Sequence, residues 1–86
     1  MRFYYVYVLE SIKDSSRYIG FTNNLKERLE AHNKGLNFLT KPHMPYKLIY
    51  FEGCTNTNDA KRREHYFKKT GGRRFLAKRL REYYKM

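Results

Sequence analysis

The sequence predicts an α+β fold, in which a three-stranded β-sheet is flanked by helices in the order ββαβαα. Three segments are rich in aromatic and β-branched residues, and the first and third carry apolar side chains on both alternating faces, which is typical of covered strands. Three further segments combine helical spacing of apolar residues with capping and stop signals. Because no repeat or linker interrupts this pattern, we expect residues 1–86 to form one domain.

The first two strands are predicted to form a hairpin. In residues 2–10, RFYYVYVLE, side chains on both faces are apolar, so this segment is expected to be the central strand. KDSS then supplies turn residues, and residues 17–21, RYIGF, resume the strand. Gly20 lies within this second strand and indicates the close approach of another backbone or of a ligand.

The first helix is predicted within residues 22–35, TNNLKERLEAHNKG. Asn24 and Glu27 have capping-box spacing, and an Asn-Lys-Gly sequence gives the stop signal. Arg28 and His32 are expected to flank the buried stripe at its rim rather than to face solvent. That stripe is expected to consist of Leu25, Leu29 and Leu36.

The remaining elements follow a loop at residues 36–45. Residues 46–53, YKLIYFEG, predict the third strand. The second helix is expected to be capped by Thr57 or Asn58 and to end at Gly71-Gly72. Its apolar face is expected to include Ala60, Glu64 and Phe67. The third helix is predicted over residues 73–86, with Leu76, Leu80 and Tyr83 facing inward.

The charge of the chain indicates a polyanionic partner. It contains 19 Lys+Arg and 8 Asp+Glu, a net charge of +11, of which +8 lies in residues 59–86. Nucleic acid is the commonest polyanion, and a solvated basic surface is the alternative. The residues expected to bind nucleic acid are Lys61, Arg62, Lys68, Lys69, Arg73, Arg74 and Lys78.

Cysteine and hydropathy patterns exclude other classes. The single cysteine, Cys54, excludes an internal disulfide and a multi-cysteine zinc site, and we expect it to be a small, partly buried residue. No apolar run reaches the length of a membrane span, and no signal peptide is recognised. The sequence therefore predicts a cytoplasmic protein without a membrane partner.

Several polar residues stand where apolar ones are expected: Tyr5, Tyr7, Tyr18, Arg28, His32 and Glu64. Each has an ordinary explanation, such as a core tyrosine with its hydroxyl at the surface, or a Glu64–Arg28 ion pair. Together they fit phosphodiester hydrolysis, because phenols can orient water, arginine can bind phosphate oxygens and a carboxylate can hold a divalent cation.

The motifs resemble those of the GIY-YIG nuclease domain family, which includes homing endonucleases and the N-terminal part of the UvrC repair nuclease. In the first motif, Tyr5-Val6-Tyr7, Tyr5 replaces the family glycine and Tyr7 matches the family tyrosine. The second motif, Tyr18-Ile19-Gly20, is intact. The chain is most similar to small stand-alone bacterial proteins of the UPF0213 type, with the same ββαβαα order.

The resemblance extends to the helices and implies roles for five residues. Tyr7 would be the general base or would orient water, assisted by Tyr18. Arg28 would stabilise the phosphate transition state, and His32 would assist proton transfer or position water. Glu64 would hold one divalent metal, Mg²⁺ or Mn²⁺. A base role for tyrosine requires nearby positive charge to lower its pKa.

The resemblance thus implies a metal-dependent DNA endonuclease, acting on double-stranded or branched DNA, with RNA as another substrate and DNA repair or recombination as the setting. Because the chain shows no separate DNA-targeting domain, specificity is expected to come from this domain or from a protein partner. The alternatives are a non-catalytic nucleic-acid-binding module that uses the basic C-terminal helices, and an adaptor that docks through its aromatic hairpin.

Overall fold

The aromatic and β-branched segments form one antiparallel sheet composed of β1 (Tyr4–Ser11), β2 (Arg17–Thr22) and β3 (Tyr46–Cys54). The strand order is β2-β1-β3, so β1 is central, as predicted. The computed structural model describes residues 2–86. A register shift between Val8 and Leu9 marks an irregularity in the pairing of β1 with β3.

Four helices accompany the sheet: α1 (Leu25–Asn33), α2 (Thr57–Phe67), α3 (Thr70–Arg79) and the single turn α4 (Arg81–Tyr84). A short 3₁₀ turn precedes β3 at Lys41–His43. The α+β class and the order ββαβαα are confirmed, with the last predicted helix divided into α3 and α4. Within residues 2–86, no helix combines the length and apolarity needed to cross a membrane.

The two faces of β1 are covered by different helices. Val6 and Val8 point toward α2 and α3, where they join Ala60, Phe67 and Leu76 in an apolar core. On the opposite face, Tyr7, Leu9 and Tyr46 form a second buried cluster against residues of α1. The sheet is therefore the middle layer of the domain, and both of its faces contribute buried side chains.

The caps explain where α1 and α2 begin. Asn24 accepts a hydrogen bond from the Glu27 amide at 3.1 Å, as the capping-box spacing predicts. The N-cap of α2 is Asn56, whose side chain accepts bonds from the amides of Asn58 and Asp59 at 2.9 and 3.3 Å. The prediction of Thr57 or Asn58 as this cap was wrong by one or two positions, because Asn56 already provides the acceptor.

Two predictions about the C-terminal ends of helices α1 and α2, where glycines lie, were wrong. Gly71 and Gly72 lie in the first turn of α3 rather than ending α2, which stops at Phe67. A Cβ on Gly72 would lie 2.0 Å from the Tyr66 carbonyl oxygen, so this glycine lets the two helices meet closely. Leu36 follows the left-handed Gly35 (φ +74°), lies outside α1 and is 73% exposed, so its predicted burial was wrong.

Candidate active site

Tyr7 occupies the centre of β1 and is buried, with 1% of its surface exposed. Its ring crosses the neighbouring strand at Gly20, where an added Cβ would lie 2.3 Å from the Tyr7 hydroxyl oxygen. The close approach expected at Gly20 is therefore made by a side chain, rather than by a backbone or a ligand. Only glycine at this position allows the hydroxyl to extend across β2.

The Tyr7 hydroxyl contacts His32 of α1. Tyr7 Oη lies 3.0 Å from His32 Nε2, and His32 Nδ1 lies 2.8 Å from the Thr40 Oγ1. The Thr40 hydroxyl donates to the Asn37 carbonyl at 3.4 Å, so it accepts from His32 Nδ1–H. Nε2 is then the acceptor, and the chain of hydrogen bonds runs from the Tyr7 phenol through His32 to Thr40.

His32 was expected at the rim of the buried stripe, but it is fully buried, with 0% of its surface exposed. Both ring nitrogens have partners, which removes the penalty for burying an unpaired polar group. Thr40, also buried, was not singled out from the sequence. It lies in an irregular loop, where no periodicity indicates which side chains turn inward.

Tyr18 of β2 completes an aromatic cluster around the imidazole. Its ring centroid lies 5.0 Å from that of His32 and 6.3 Å from that of Tyr7. Tyr46 lies on another side of the imidazole, 6.1 Å away between centroids. Three of the predicted site residues, Tyr7, Tyr18 and His32, are thus brought together by β1, β2 and α1.

Arg28 lies one turn before His32 on α1 and is exposed. In the part of the chain that the structure describes, no carboxylate lies within ion-pair distance of its guanidinium. The suggested Glu64–Arg28 ion pair is therefore absent among these residues. The Arg28 charge nevertheless influences the site, because it lowers the pKa values of both Tyr7 and His32.

Glu64 lies on α2, which packs on the sheet face opposite α1. Its side chain is 23% exposed, and Oε2 accepts a hydrogen bond from Lys68 Nζ at 3.1 Å. Its charge contributes to raising the pKa of Tyr7, which places it within electrostatic range of the phenol. Glu64 thus shares an apolar helix face with Ala60 and Phe67, as expected, but its carboxylate remains partly accessible.

The donor set around Glu64 allows a metal that takes few protein ligands. Among residues 2–86, no three His, Cys, Asp or Glu side chains come together in a group that could hold a metal. Mg²⁺ commonly keeps several waters and binds through one or two carboxylates plus substrate phosphates. One accessible carboxylate, paired only with an exposed lysine, fits that kind of site and does not fit a cage made by protein alone.

The protonation states follow from burial. Burial, followed by the neighbouring Tyr18, raises the pKa of Tyr7 to about 12, and Arg28 acts in the opposite direction. Burial, followed by the Arg28 charge, lowers the pKa of His32 below its ordinary value. At neutral pH the pair is therefore a neutral phenol beside a neutral imidazole, in agreement with the direction of their hydrogen bond.

The residues predicted to bind nucleic acid are all exposed: Lys61, Arg62, Lys68, Lys69, Arg73, Arg74 and Lys78. Lys68 and Arg73 line a groove of about 510 Å³ between β2 and α3, together with Tyr18 and Arg17. Arg17 was not among the predicted binding residues, since it belongs to the hairpin and only the fold brings it next to α3. The groove connects the aromatic cluster with the basic helices.

The chain is similar in sequence to a known domain family and to several bacterial proteins. The family model described as the GIY-YIG catalytic domain matches residues 3–78. A UPF0213 protein of Clostridium perfringens is 48% identical over 66 residues, covering 76% of this chain and 70% of that protein. One from Bacillus licheniformis is 39% identical over 84 residues, covering 92% and 84%. The UPF0213 protein YazA of Bacillus subtilis is 40% identical over 68 residues, covering 77% and 67%.

The family match spans nearly all of the sheet and α1 to α3, and so includes every residue of the cluster described above. The relatives carry a group label that names no activity. Identity at this level over most of both chains nevertheless places them in one group with this protein. The chain therefore belongs to the GIY-YIG catalytic domain family, a family of endonucleases.

Proposed function

We propose that the protein is a divalent-metal-dependent DNA endonuclease that hydrolyses phosphodiester bonds. The observation that carries the proposal is the buried hydrogen bond between Tyr7 and His32, at 3.0 Å, close to Arg28, which has no carboxylate partner among residues 2–86. A buried phenol–imidazole pair could serve packing alone. The charges of exposed Arg28 and accessible Glu64 both act on Tyr7, and Tyr18 of the same cluster lines a basic groove, which favours chemistry on a phosphate.

Arg28 would bind the phosphate. Its guanidinium is exposed and carries a fork of donors that matches two phosphate oxygens, so it can stabilise the charge that develops in the transition state. Because no carboxylate among residues 2–86 neutralises it, its full charge is available to the substrate. The bound phosphate would also be a hydrogen-bond partner that keeps the Arg28 guanidinium next to Tyr7.

Tyr7 and His32 would move the proton of the attacking water. With its pKa near 12, the phenol is a poor base until it transfers its own proton. The hydrogen-bond direction allows that proton to pass to His32 Nε2 as the phenol oxygen accepts one from water. Tyr18, whose ring packs beside both residues, would assist in positioning the water.

Glu64 would hold a single Mg²⁺ or Mn²⁺. When bound, this cation would supply the positive charge that stabilises the leaving oxygen. Lys68 must release the carboxylate for this, which is inexpensive because the lysine side chain is 54% exposed. Lys61, Arg62, Lys68, Lys69, Arg73, Arg74 and Lys78 would bind the nucleic-acid backbone.

The substrate is proposed to be double-stranded or branched DNA, with RNA as the alternative. A cytoplasmic role in DNA repair or recombination, with targeting supplied by this single domain or by a protein partner, would fit the family. The basic C-terminal region and the groove beside Tyr18 support a nucleic-acid substrate, since backbone phosphates are bound mainly by Lys and Arg.

The test compares Glu64→Gln and Arg28→Ala with Glu82→Gln, which alters an exposed carboxylate on α4. Cleavage of plasmid, single-stranded and branched DNA is measured with Mg²⁺, with Mn²⁺ and with EDTA. We expect the first two variants and EDTA to reduce the rate by more than about 100-fold, with folding unchanged by circular dichroism. The Glu82→Gln variant should cleave like the wild type.

A non-catalytic nucleic-acid-binding module is the second candidate. The isolation of Glu64 from other metal-ligating side chains among the described residues, and the high pKa of Tyr7, favour it. That candidate requires salt-sensitive DNA binding that is indifferent to Glu64→Gln and to EDTA, with no cleavage under any divalent metal. This outcome would replace the endonuclease proposal.

A further inference from the structure

Three aromatic rings form a connected, partly exposed surface beyond the catalytic cluster. The ring centroids of Phe3 and Tyr5 are 6.3 Å apart, and those of Tyr5 and Phe51 are 6.0 Å apart. Phe3 is 43% exposed and Phe51 is 50% exposed, while Tyr5 is half-buried between them. We call Phe3, Tyr5 and Phe51 the aromatic platform.

Core packing does not account for this platform. The platform residues belong to neither buried cluster of the domain, and α1 covers only the neighbouring half of the same sheet face, at Tyr7 and Leu9. Scattered exposed apolar residues are normal, but three contiguous rings leave a patch of the kind that marks a binding surface. Tyr5 is also the residue that replaces the family glycine, so a ring occupies a position where the motif requires none.

The local backbone lets the central ring lie across the sheet. Gly53 of β3 is paired with Tyr5 of β1, and a Cβ on Gly53 would lie 3.1 Å from the Tyr5 ring. The glycine therefore leaves room for the ring over β3, where it meets Phe51 edge to face. The result is a surface of aromatic faces and edges rather than of flexible aliphatic chains.

The platform adjoins the candidate catalytic residues. Tyr5 precedes Tyr7 by two residues on the same face of β1, a separation of about 7 Å along the strand. Phe51 is the cross-strand partner of Tyr7 in β3. The Tyr7 hydroxyl extends over β2 at Gly20 whereas the Tyr5 ring lies over β3, so a base on these rings would belong to a strand that crosses β1 from a phosphate bound at Tyr7 and Arg28.

The charge around the platform favours a nucleic acid as its occupant. Among the described strand residues that share the face of Tyr5 and Tyr7, none is acidic. The nearest carboxylate in sequence, Glu52, points to the opposite face and accepts two hydrogen bonds from Arg63. An aromatic surface whose own strands place no carboxylate on its face, on a protein of net charge +11, matches a base attached to a phosphate backbone.

We propose that the aromatic platform stacks an unpaired base of the nucleic acid whose phosphate is bound at Tyr7 and Arg28. This inference rests on the proposed function and narrows its substrate class, because a base inside a duplex cannot stack on these rings. The preferred substrates are then single-stranded DNA, or branched DNA with unpaired bases at the junction, rather than continuous double-stranded DNA.

The test uses the absence of tryptophan from the chain. Phe51→Trp places the only indole on the platform, and Ile12→Trp places one at an exposed position about 23 Å further along the strand direction from Tyr5. Fluorescence is measured in EDTA, which prevents metal-dependent cleavage, with a single-stranded thymidine oligonucleotide and an abasic oligonucleotide of equal length and charge. We expect the thymidine strand to quench Phe51→Trp and the abasic strand to leave it unquenched, with Ile12→Trp unaffected by either.

A second variant measures the contribution to affinity. Phe51→Leu keeps an apolar side chain but removes the ring, and we expect it to weaken binding of the thymidine strand by about 5-fold or more. Its affinity for the abasic strand should equal that of the wild type. Equal quenching by both strands, or unchanged affinity of Phe51→Leu for the thymidine strand, would overturn the proposal and leave the platform as a protein-docking surface.

This experiment separates the two proposals, because it measures binding without cleavage. If base-dependent quenching occurs but no DNA is cut with any divalent metal, the platform is supported and the endonuclease proposal fails. If DNA is cut in a manner that depends on Glu64 but quenching does not depend on bases, the platform inference fails and the endonuclease proposal survives.

Discussion

The two faces of β1 are equally buried but are held in different ways. Val6 and Val8 face α2 and α3, where their neighbours are apolar and no side-chain hydrogen bond is needed. On the opposite face, Tyr7 is as inaccessible as the valines, but its hydroxyl is part of a chain of hydrogen bonds through His32. One face thus gains stability from burial alone, and the other face accepts polar groups that must be satisfied.

The same contrast holds for two arginines. Arg63 of α2 donates to both carboxylate oxygens of Glu52, at 2.8 and 3.0 Å, and its guanidinium lies 4.7 Å from the Phe67 ring centroid. Arg28 of α1 is exposed and has no carboxylate partner among residues 2–86. An arginine paired with a carboxylate contributes to the fold, whereas an exposed arginine without a carboxylate partner among the described residues is available for an anionic ligand.

The largest effect on stability is expected on the apolar face. Phe67→Ala removes a ring that is 0% exposed and packs against Phe75 and Tyr50, so the free energy of unfolding should fall by about 3–5 kcal/mol. Much of the stability of so small a domain would be lost, as urea denaturation would measure. The control Phe38→Ala, at a residue that is 89% exposed, should leave the transition unchanged. Equal losses would contradict the assignment of this face as the structural one.

The two arginines give the sharpest contrast between stability and activity. Arg63→Ala removes the bidentate pair and the stacking on the aromatic rings, so we expect it to lower the free energy of unfolding by about 1–3 kcal/mol with little loss of cleavage per folded molecule. Arg28→Ala should reduce cleavage by about 100-fold while shifting the unfolding transition little. Urea denaturation and DNA cleavage are measured for both variants. A loss of cleavage in Arg63→Ala with a loss of stability in Arg28→Ala would contradict the roles assigned to these two arginines.

The smallest effect is expected from titration of His32. Its pKa is lowered in the folded protein by burial and by Arg28, so the unfolded chain takes up this proton first as the pH falls through 6.5. The free energy of unfolding should therefore decrease between that pH and the lower pKa of the folded state. Tyr7, which contacts the imidazole, has its pKa raised to about 12 by burial and stays protonated in this range.

The measurement compares denaturation of wild type and His32→Gln at neutral and at mildly acidic pH. Because His43 and His65 are present in both proteins, the difference between the two proteins isolates the contribution of His32. We expect the wild type to lose more stability on acidification than the variant. A steeper loss in the variant would indicate that His32 is protonated in the folded state.

Several features could be predicted from the sequence because they depend on neighbouring residues. Apolar side chains on both faces of the first segment indicated that β1 is the central strand, and capping-box spacing placed the start of α1 at Asn24. The ends of α2 and α3 could not be placed in this way. Gly71-Gly72 reads locally as a stop signal, whereas in the fold these glycines let α3 pack against the last turn of α2.

The sequence indicated which residues belong to the candidate site, but not which of them contact one another. The motif spacing indicated Tyr7, Tyr18, Arg28, His32 and Glu64, and the structure brings Tyr7, Tyr18 and His32 into direct contact. The full burial of His32 depends on Thr40, which comes from an irregular loop and has no periodic signal. Arg17 likewise lines the groove only because β2 lies beside α3.

The sequence by itself determined the order of the elements, the central strand and the basic character of the C-terminal helices, because these follow from side-chain alternation, capping and composition. Only the tertiary structure decided that Lys68 rather than Arg28 pairs with Glu64, and that the Tyr7 hydroxyl reaches His32 across Gly20. Hydrogen bonds and ion pairs between distant elements depend on distances of a few ångströms, which are set by how the elements pack and not by their spacing along the chain.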